Sequence, residues 1–268
     1  PMKQISILGC GWLGFPLAKK LLQEGFAVKG STTSAAKLAE LEKAGIQPFL
    51  IALKAEETQG DLSGFLDNTS VLVIDMPPKL RGVEKESFIA KIENLIPFIE
   101  DAAVENVLFV SSTSVYNDDE KHVTEDTTPN PDTESGLQLL ASEKLLQGNP
   151  SFKTTILRFG GLIGEDRHPI KSLAGRKYLE NPEAPINMIH QDDCIGIILK
   201  IITTDSWSET FNAVAPFHPT REDYYIDKAI DWALSPPTFN HEKPSVGKMV
   251  DSSKIVDHLG YSFTRLDF

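Results

Sequence analysis

Two hydrophobic rhythms alternate along the first 160 residues. The runs Ile5–Leu8, Phe26–Gly30, Pro48–Ala52, Val71–Asp75, Val107–Ser111 and Thr154–Phe159 are short and rich in Val, Ile, Leu and Phe. That pattern suits parallel strands buried on both faces. Between them, Phe15–Glu24, Ala35–Ala44, Lys85–Ala103 and Ser135–Gln147 carry apolar residues at helical spacing,. Gly25, Gly45 and Gly148 follow three of these segments, where glycine adopts a left-handed cap at little cost. Strand–helix alternation with short connections predicts an α/β architecture, a doubly wound parallel sheet with right-handed crossovers. After Phe159 the rhythm breaks. Residues 160–169 read as loop, a helix pattern returns at Asp193–Ile202 and a short strand at Thr210–Val214, and five prolines from Pro216 to Pro244 punctuate the rest. The expected division is a sheet domain over 1–160, to which 186–215 returns. Residues 161–185 and 216–268 then form a smaller C-terminal lobe for a substrate.

The first apolar run ends in Gly9-Cys10-Gly11-Trp12-Leu13-Gly14, and a helix pattern follows at once. Gly-x-Gly-x-x-Gly between a strand and a helix is the arrangement that a dinucleotide's pyrophosphate requires. The first glycine permits the tight turn, the second lets backbone approach the phosphates, and the third lets the helix lie close on the strand. The phosphate charge then rests on free N–H groups at the positive end of the helix dipole. The sheet is therefore expected to be of Rossmann type, with Gly9, Cys10, Gly11, Trp12, Leu13 and Gly14 against the cofactor. The plainer alternative is a glycine turn that packs two elements and holds no ligand.

Rossmann sites for NAD usually place a carboxylate at the end of the second strand, where it accepts the ribose hydroxyls. Here that stretch reads Lys29-Gly30-Ser31-Thr32-Thr33-Ser34, and no carboxylate occurs between Glu24 and Glu40. Ser31, Thr32, Thr33 and Lys37 suit the extra phosphate of NADP(H), which is favoured over NAD(H). The same run also suits a turn in which Thr33 or Ser34 caps the next helix.

Composition narrows the classes further. The 268 residues, 41% of them hydrophobic, suffice for a sizeable core,. A formal net charge of -12 argues against nucleic-acid or anionic-membrane partners,. No apolar run approaches transmembrane length. The first residues already read as a strand, so no secretory leader is expected. The two cysteines, Cys10 and Cys194, lie far apart without metal-type neighbours. They read as small buried residues of a cytoplasmic protein, and no metal site is expected.

The fifth run continues as Leu108-Phe109-Val110-Ser111-Ser112-Thr113-Ser114-Val115-Tyr116, placing hydroxyls at the carboxyl end of a central strand, over the crevice where ligands bind. With the glycine motif, this segment resembles the extended short-chain dehydrogenase/reductase family, the NAD(P)-dependent epimerase/dehydratase group. Thr155-Ile156-Leu157-Arg158-Phe159-Gly160-Gly161 is similar to that family's sixth strand and the loop covering the nicotinamide. Ile189-His190-Gln191-Asp192-Asp193 is similar to its later strand-to-helix turn, and Lys248–Gly260 to its tail.

The resemblance implies that Ser112 hydrogen-bonds the reacting substrate oxygen. It implies a Tyr-x-x-x-Lys pair on the following helix, but aligning on Glu143 puts Ser135 and Leu139 at those positions. Neither replaces a phenol whose pKa a lysine lowers. It also implies pairing of two copies through the long helices of the sheet domain, a homodimer. The one Tyr-x-x-x-Lys, Tyr224 to Lys228, lies beyond the sixth strand and reads as an ordinary helical segment.

Further candidates carry two readings each. Met76 and Pro77, after the fourth strand, form a rigid wall that contacts cofactor or merely closes the crevice. Phe159 and Gly160 are placed on the cofactor by the resemblance. Thr113 either reaches substrate or closes its turn. Arg158 either anchors an anionic substrate or pairs with a carboxylate. His190 is a satisfied core histidine or a pocket residue. Asp192 or Asp193 is expected to cap the helix that follows, and Arg167-His168 to lie in a solvated loop.

Two functions follow from these readings. The first is an atypical NAD(P)-dependent oxidoreductase, epimerase/dehydratase-like, acting on a small polar or nucleotide-sugar-like molecule. The second is a non-catalytic NADP(H)-binding redox sensor or regulator.

Overall fold

Alternate side chains of the strands feed two different cores. In the computed structural model, which describes residues 2–80 and 86–268, strand β1 (Gln4–Leu8) sends Ile5 and Ile7 to one helical layer and Leu8 to the other. Helix α1 (Gly14–Gln23), β2 (Ala27–Thr32), helix α2 (Leu38–Lys43) and β3 (Gln47–Leu50) follow. Next come β4 (Val71–Ile74), helix α3 (Phe88–Asp101), β5 (Asn106–Ser112), helix α4 (Glu134–Gln147) and β6 (Lys153–Phe159). Lys85, expected to open the helix now seen as α3, lies outside the described residues.

Beyond β6 the chain forms β7 (Gly161–Ile163), β8 (Met188–His190), helix α5 (Gln191–Thr203), β9 (Thr210–Ala213) and helix α6 (Arg221–Asp231). The main sheet has seven strands in the order β9-β6-β5-β4-β1-β2-β3, with every neighbouring pair parallel. Strand order reverses beside β1, so the crevice at the carboxyl ends of β1 and β4 is where such sheets take ligands. Helices α1, α2 and α5 cover one face through Leu17, Leu21, Leu41, Ile197 and Ile201. Helices α3 and α4 cover the other through Phe88, Ile92, Leu95 and Leu146. Burial on both faces is what made the strands read as unbroken apolar runs.

Two local expectations are corrected. Gly25 and Gly45 take the left-handed conformation, with φ of 90° and 87°, but Gly148 stays right-handed at −75°. Its amide still donates to the Lys144 carbonyl as the helix closes, and just beyond it the Asn149 side chain accepts from the Ser151 amide. That side-chain turn replaces the glycine cap. Residues 161–163, read as loop, form strand β7 against β8. Three residues are too few for a periodic signal, and the partner strand supplies the order.

A third core holds the small lobe, where Ile163, Ile170, Ile186 and Met188 pack with Tyr224, Tyr225, Ala229 and Phe239. The C-terminal tail does not stay there. Met249–Val250 pair with His122–Val123, and Ile255 and Leu259 enter the sheet-domain core beside Phe211. Asp193, fully buried on α5, fixes the tail by accepting from Tyr261 Oη at 2.5 Å, from the Thr264 amide and hydroxyl, and from the Arg265 amide. We therefore expect Ile255→Ala to cost about 2–5 kcal/mol, as a core truncation does. Urea unfolding is the check, and a loss near zero would mean that the tail is only loosely appended.

Candidate functional site

The turn between β1 and α1 is squeezed by its own backbone. A Cβ on Gly9, whose φ is 106°, would lie 2.2 Å from the Asp75 carbonyl oxygen, and one on Gly14 would lie 2.0 Å from the Gly9 carbonyl oxygen. Both positions are closed to any side chain. Gly11 differs, because a Cβ there would meet nothing within 4 Å. Packing does not demand that glycine; the open space in front of its backbone does the asking.

The Gly9 amide donates to Ser31 Oγ and the Cys10 amide to the Ser31 carbonyl. Among the described residues, the amides of Gly11, Trp12 and Leu13 find no acceptor, and no side chain caps α1. Three bare N–H groups at the positive end of a ten-residue helix make an anion cradle,. Cys10 contributes only backbone to it. Its thiol is buried, aimed at Gly30, and pushed up to about 12 by that burial.

Asp75 ends β4 inside the same turn. A Cβ on Gly14 would lie 3.3 Å from its Oδ2. Burial pushes its carboxyl up to about 7, against the lowering effect of the Gly14 amide. Met76 packs on the core beneath it, and Pro77 is exposed at the crevice edge.

At the end of β2 the structure separates the four candidates. Ser31 is buried and its hydroxyl holds the Gly9 amide; Thr32 is buried and its hydroxyl accepts from the Ser34 amide. Thr33 and Lys37 are exposed beside the crevice. Neither Thr33 nor Ser34 caps the following turn through a side chain, so the capping alternative does not apply.

Ser112 ends β5, half-buried, and its Oγ accepts from the Ser114 amide. That leaves the hydroxyl proton to donate outward. Thr113 is buried in the short turn that follows. Ser135 lies in the first turn of α4, and Leu139 is buried in the core.

Arg158 lies beneath the crevice floor rather than in it. Its guanidinium binds Glu143 twice, Nε to Oε1 at 3.0 Å and Nη2 to Oε2 at 2.6 Å, and donates to Tyr116 Oη at 2.8 Å. Ser111 donates to the same carboxylate and Tyr116 donates to Asn212. Of its two readings, the carboxylate pair is the one present. Phe159 is buried, and a Cβ on Gly160 would lie 2.6 Å from the Asn187 carbonyl oxygen, so backbone crossing requires that glycine.

His190 itself caps α5, its Nδ1 accepting from the Asp192 amide at 3.0 Å. This corrects the expectation that Asp192 or Asp193 caps, since Asp192 pairs with Arg265 and Asp193 holds the tail. His168 is buried rather than solvated. Its Nε2 lies 2.7 Å from Tyr224 Oη, and burial, with Lys228 and Lys171 nearby, pushes it down to about 4. Tyr224 belongs to α6 and to the small-lobe core.

Reading the sequence passed over Asp166. Trp12 Nε1 donates to its Oδ1 at 3.0 Å, across 154 residues. No local pattern signals such a contact. A separate hollow of about 860 Å3, lined by Lys3, Asn106, Lys153 and Trp207, opens at the amino ends of the strands, away from the glycine turn. Among the described residues no group of three His, Cys, Asp or Glu is placed to hold a metal, and no helix is long and apolar enough to cross a membrane.

The fold is a Rossmann-type α/β fold, shared with solved epimerases and short-chain dehydrogenase/reductase proteins. MoeE5, solved in complex with UDP-glucuronic acid and NAD, superposes with a TM-score of 0.79 at 19% identity over 98% of this chain and 94% of that one. A short-chain dehydrogenase/reductase superfamily protein from Agrobacterium tumefaciens with bound NAD gives 0.77 at 19% identity over 98% and 93%. Likeness at that identity shows the fold. No protein-family model matches the chain. The chain belongs to the family of Protein YeeZ of Escherichia coli (strain K12), with which it is 34% identical over 265 residues, 98% of this chain and 96% of that protein.

Two measurements test this geometry. Glu143→Ala strands a buried guanidinium and should cost about 3–5 kcal/mol, whereas Glu143→Leu with Arg158→Met should recover most of it. A double variant as unstable as the single one would show that the pair is not the term lost.

Asp75 gives a pH signature. A carboxyl raised from about 3.8 to about 7 favours the folded state fully at low pH, and that contribution is lost as pH rises between those values,. Asp75→Asn should therefore match the native protein near pH 4 and melt on the order of 10 °C higher at pH 8. A difference that does not change with pH would refute the assignment.

Proposed function

We propose that the chain binds a nicotinamide dinucleotide in the crevice above β1 and β4 and uses it on a small polar or nucleotide-sugar-like substrate. The observation that carries this reading is the set of bare amides at Gly11, Trp12 and Leu13, with open space before Gly11. A diphosphate matches three convergent N–H donors at a helix start. The NAD in the structures of MoeE5 and the Agrobacterium protein supports the ligand class.

NADP(H) is the favoured form. The end of β2 offers no carboxylate, and Thr33 and Lys37 are exposed there to meet a 2′-phosphate,. Ser31 and Thr32 serve by shaping the turn.

A bound nicotinamide supplies hydride transfer. Ser112 polarises the reacting substrate oxygen by a hydrogen bond from its hydroxyl, and the proton comes from water, His190 or a group on the substrate,. Met76 and Pro77 wall the crevice. Glu143, Arg158 and Tyr116 hold β5 and β6 rigid beneath it, so that Ser112 keeps its position. The first-choice activity is that of an oxidoreductase of epimerase/dehydratase type. The buried Leu139 and the short Ser135 favour a second reading, a dinucleotide-binding redox sensor that does no hydride chemistry.

Calorimetry with NADPH, NADP+, NADH and NAD+ tests the shared premise. Binding should be tightest for the phosphorylated forms and weakened at least about tenfold in Gly11→Ala, whose methyl group would enter the phosphate's place while the fold stays intact. No heat with any of the four would end the proposal. Turnover of NADPH with a carbonyl panel separates the enzyme from the sensor. The sensor instead requires unequal affinity for NADPH and NADP+ without turnover.

A further inference from the structure

The segment after β7 doubles back on itself. The Gly164 amide donates to the Arg167 carbonyl at 2.8 Å and the Arg167 amide to the Gly164 carbonyl at 3.2 Å, with Glu165 and Asp166 at the tip. Besides the Lys171 ammonium, which donates to the Asp166 carbonyl at 3.3 Å, this hairpin is fastened to the side chain of Trp12, the fourth residue of the glycine turn. The indole N–H donates to Asp166. A Cβ on Gly164 would press to 2.9 Å from Trp12 Cζ2. The Arg167 guanidinium carbon lies 4.9 Å from the indole ring centroid. From the other side, Gln191 at the start of α5 donates to the Trp12 carbonyl at 2.7 Å.

The Trp12 amide is one of the three bare donors, so the hairpin is docked on the anion cradle itself. Arg167 is exposed, and among the described residues its guanidinium forms no ion pair and no side-chain hydrogen bond. The other arginine of the region, Arg265, pairs with Asp192. The cation–π contact with Trp12 holds the guanidinium beside the turn with its donors unused, which lowers the ordering cost of meeting a phosphate,.

We propose that Arg167 is a strap over the diphosphate of the bound dinucleotide, supplying the positive charge that the amides of Gly11, Trp12 and Leu13 lack. This rests on the dinucleotide reading of the glycine turn. The charge matters in a chain of net charge -12, whose own field opposes an incoming diphosphate,. A ligand seated on the turn is covered by the first residues that leave β7, so ligand binding and lobe position are joined through one indole ring.

The test compares the full-length protein with Arg167→Gln and Arg167→Lys, using NADP+, ADP and adenosine as probes in calorimetry and tryptophan fluorescence. Arg167→Gln should weaken NADP+ and ADP about tenfold to a hundredfold, leave adenosine affinity unchanged, and flatten the salt dependence of ADP binding. Arg167→Lys should recover part of the loss, because a point charge replaces a planar fork. Because Arg167 is exposed, its variants should melt with the native protein.

Equal NADP+ affinity in native protein and Arg167→Gln at low salt overturns the strap and leaves the glycine-turn reading standing. An equal loss for adenosine and ADP also overturns it, since the residue would then act through Trp12 packing and not through charge. Failure of the native protein to bind NADP+ and ADP at all removes the glycine-turn reading first, and the strap with it.

Discussion

The structure is organised around a backbone contact: the turn after β1 is pressed so tightly against the end of β4 that no side chain fits. The Asp75 carbonyl stands where a Gly9 Cβ would be, and the Gly9 carbonyl where a Gly14 Cβ would be. Because the chain cannot relax outward there, helix α1 starts abruptly, without a side-chain cap, and its first amides are left without acceptors. Hydrogen-bonding capacity left open at a helix start is costly unless something answers it. That is the physical root of the ligand proposal. It also explains why Asp75 is so strongly perturbed, since its carboxyl shares a space built for close backbone approach.

Below the crevice, a second constraint holds the platform. Glu143 from α4, Arg158 from β6, Ser111 from β5, Tyr116 just beyond the turn that follows β5, and Asn212 from β9 form one buried polar network. Such a network contributes little net stability compared with a well-packed apolar substitute, but removing one member leaves a charge without a partner. Its consequence is positional. The carboxyl ends of three adjacent strands are tied together near Ser112, so its hydroxyl stands on a fixed floor.

Long-range hydrogen bonds tie later segments of the chain to the glycine turn. The hairpin on Trp12 joins the glycine turn to β7, and Gln191 joins it to α5. His190 caps α5 from the end of β8, which places the same strand–helix junction beside the crevice. The C-terminal tail then closes the structure from behind by bonding Asp193 and inserting Ile255 into the sheet-domain core.

The amino-acid sequence determined what local periodicity and local chemistry can express. Six of the sheet's seven strands followed from short apolar runs, which central strands buried on both faces produce, and β9 from a short strand pattern after the rhythm breaks,. The glycine turn was legible because three glycines at fixed spacing between a strand and a helix have few other uses. Tertiary structure alone decided which polar groups remain available. Ser31 and Arg158 look equally free in sequence, yet one holds the Gly9 amide and the other holds Glu143. His190 takes the capping place that Asp192 and Asp193 seemed made for. Trp12 meets Asp166 across 154 residues and Gln191 across 179. The physical reason is that a side chain's partners are chosen by proximity in the folded chain, and pairs so distant leave no repeat or spacing for a sequence pattern to carry.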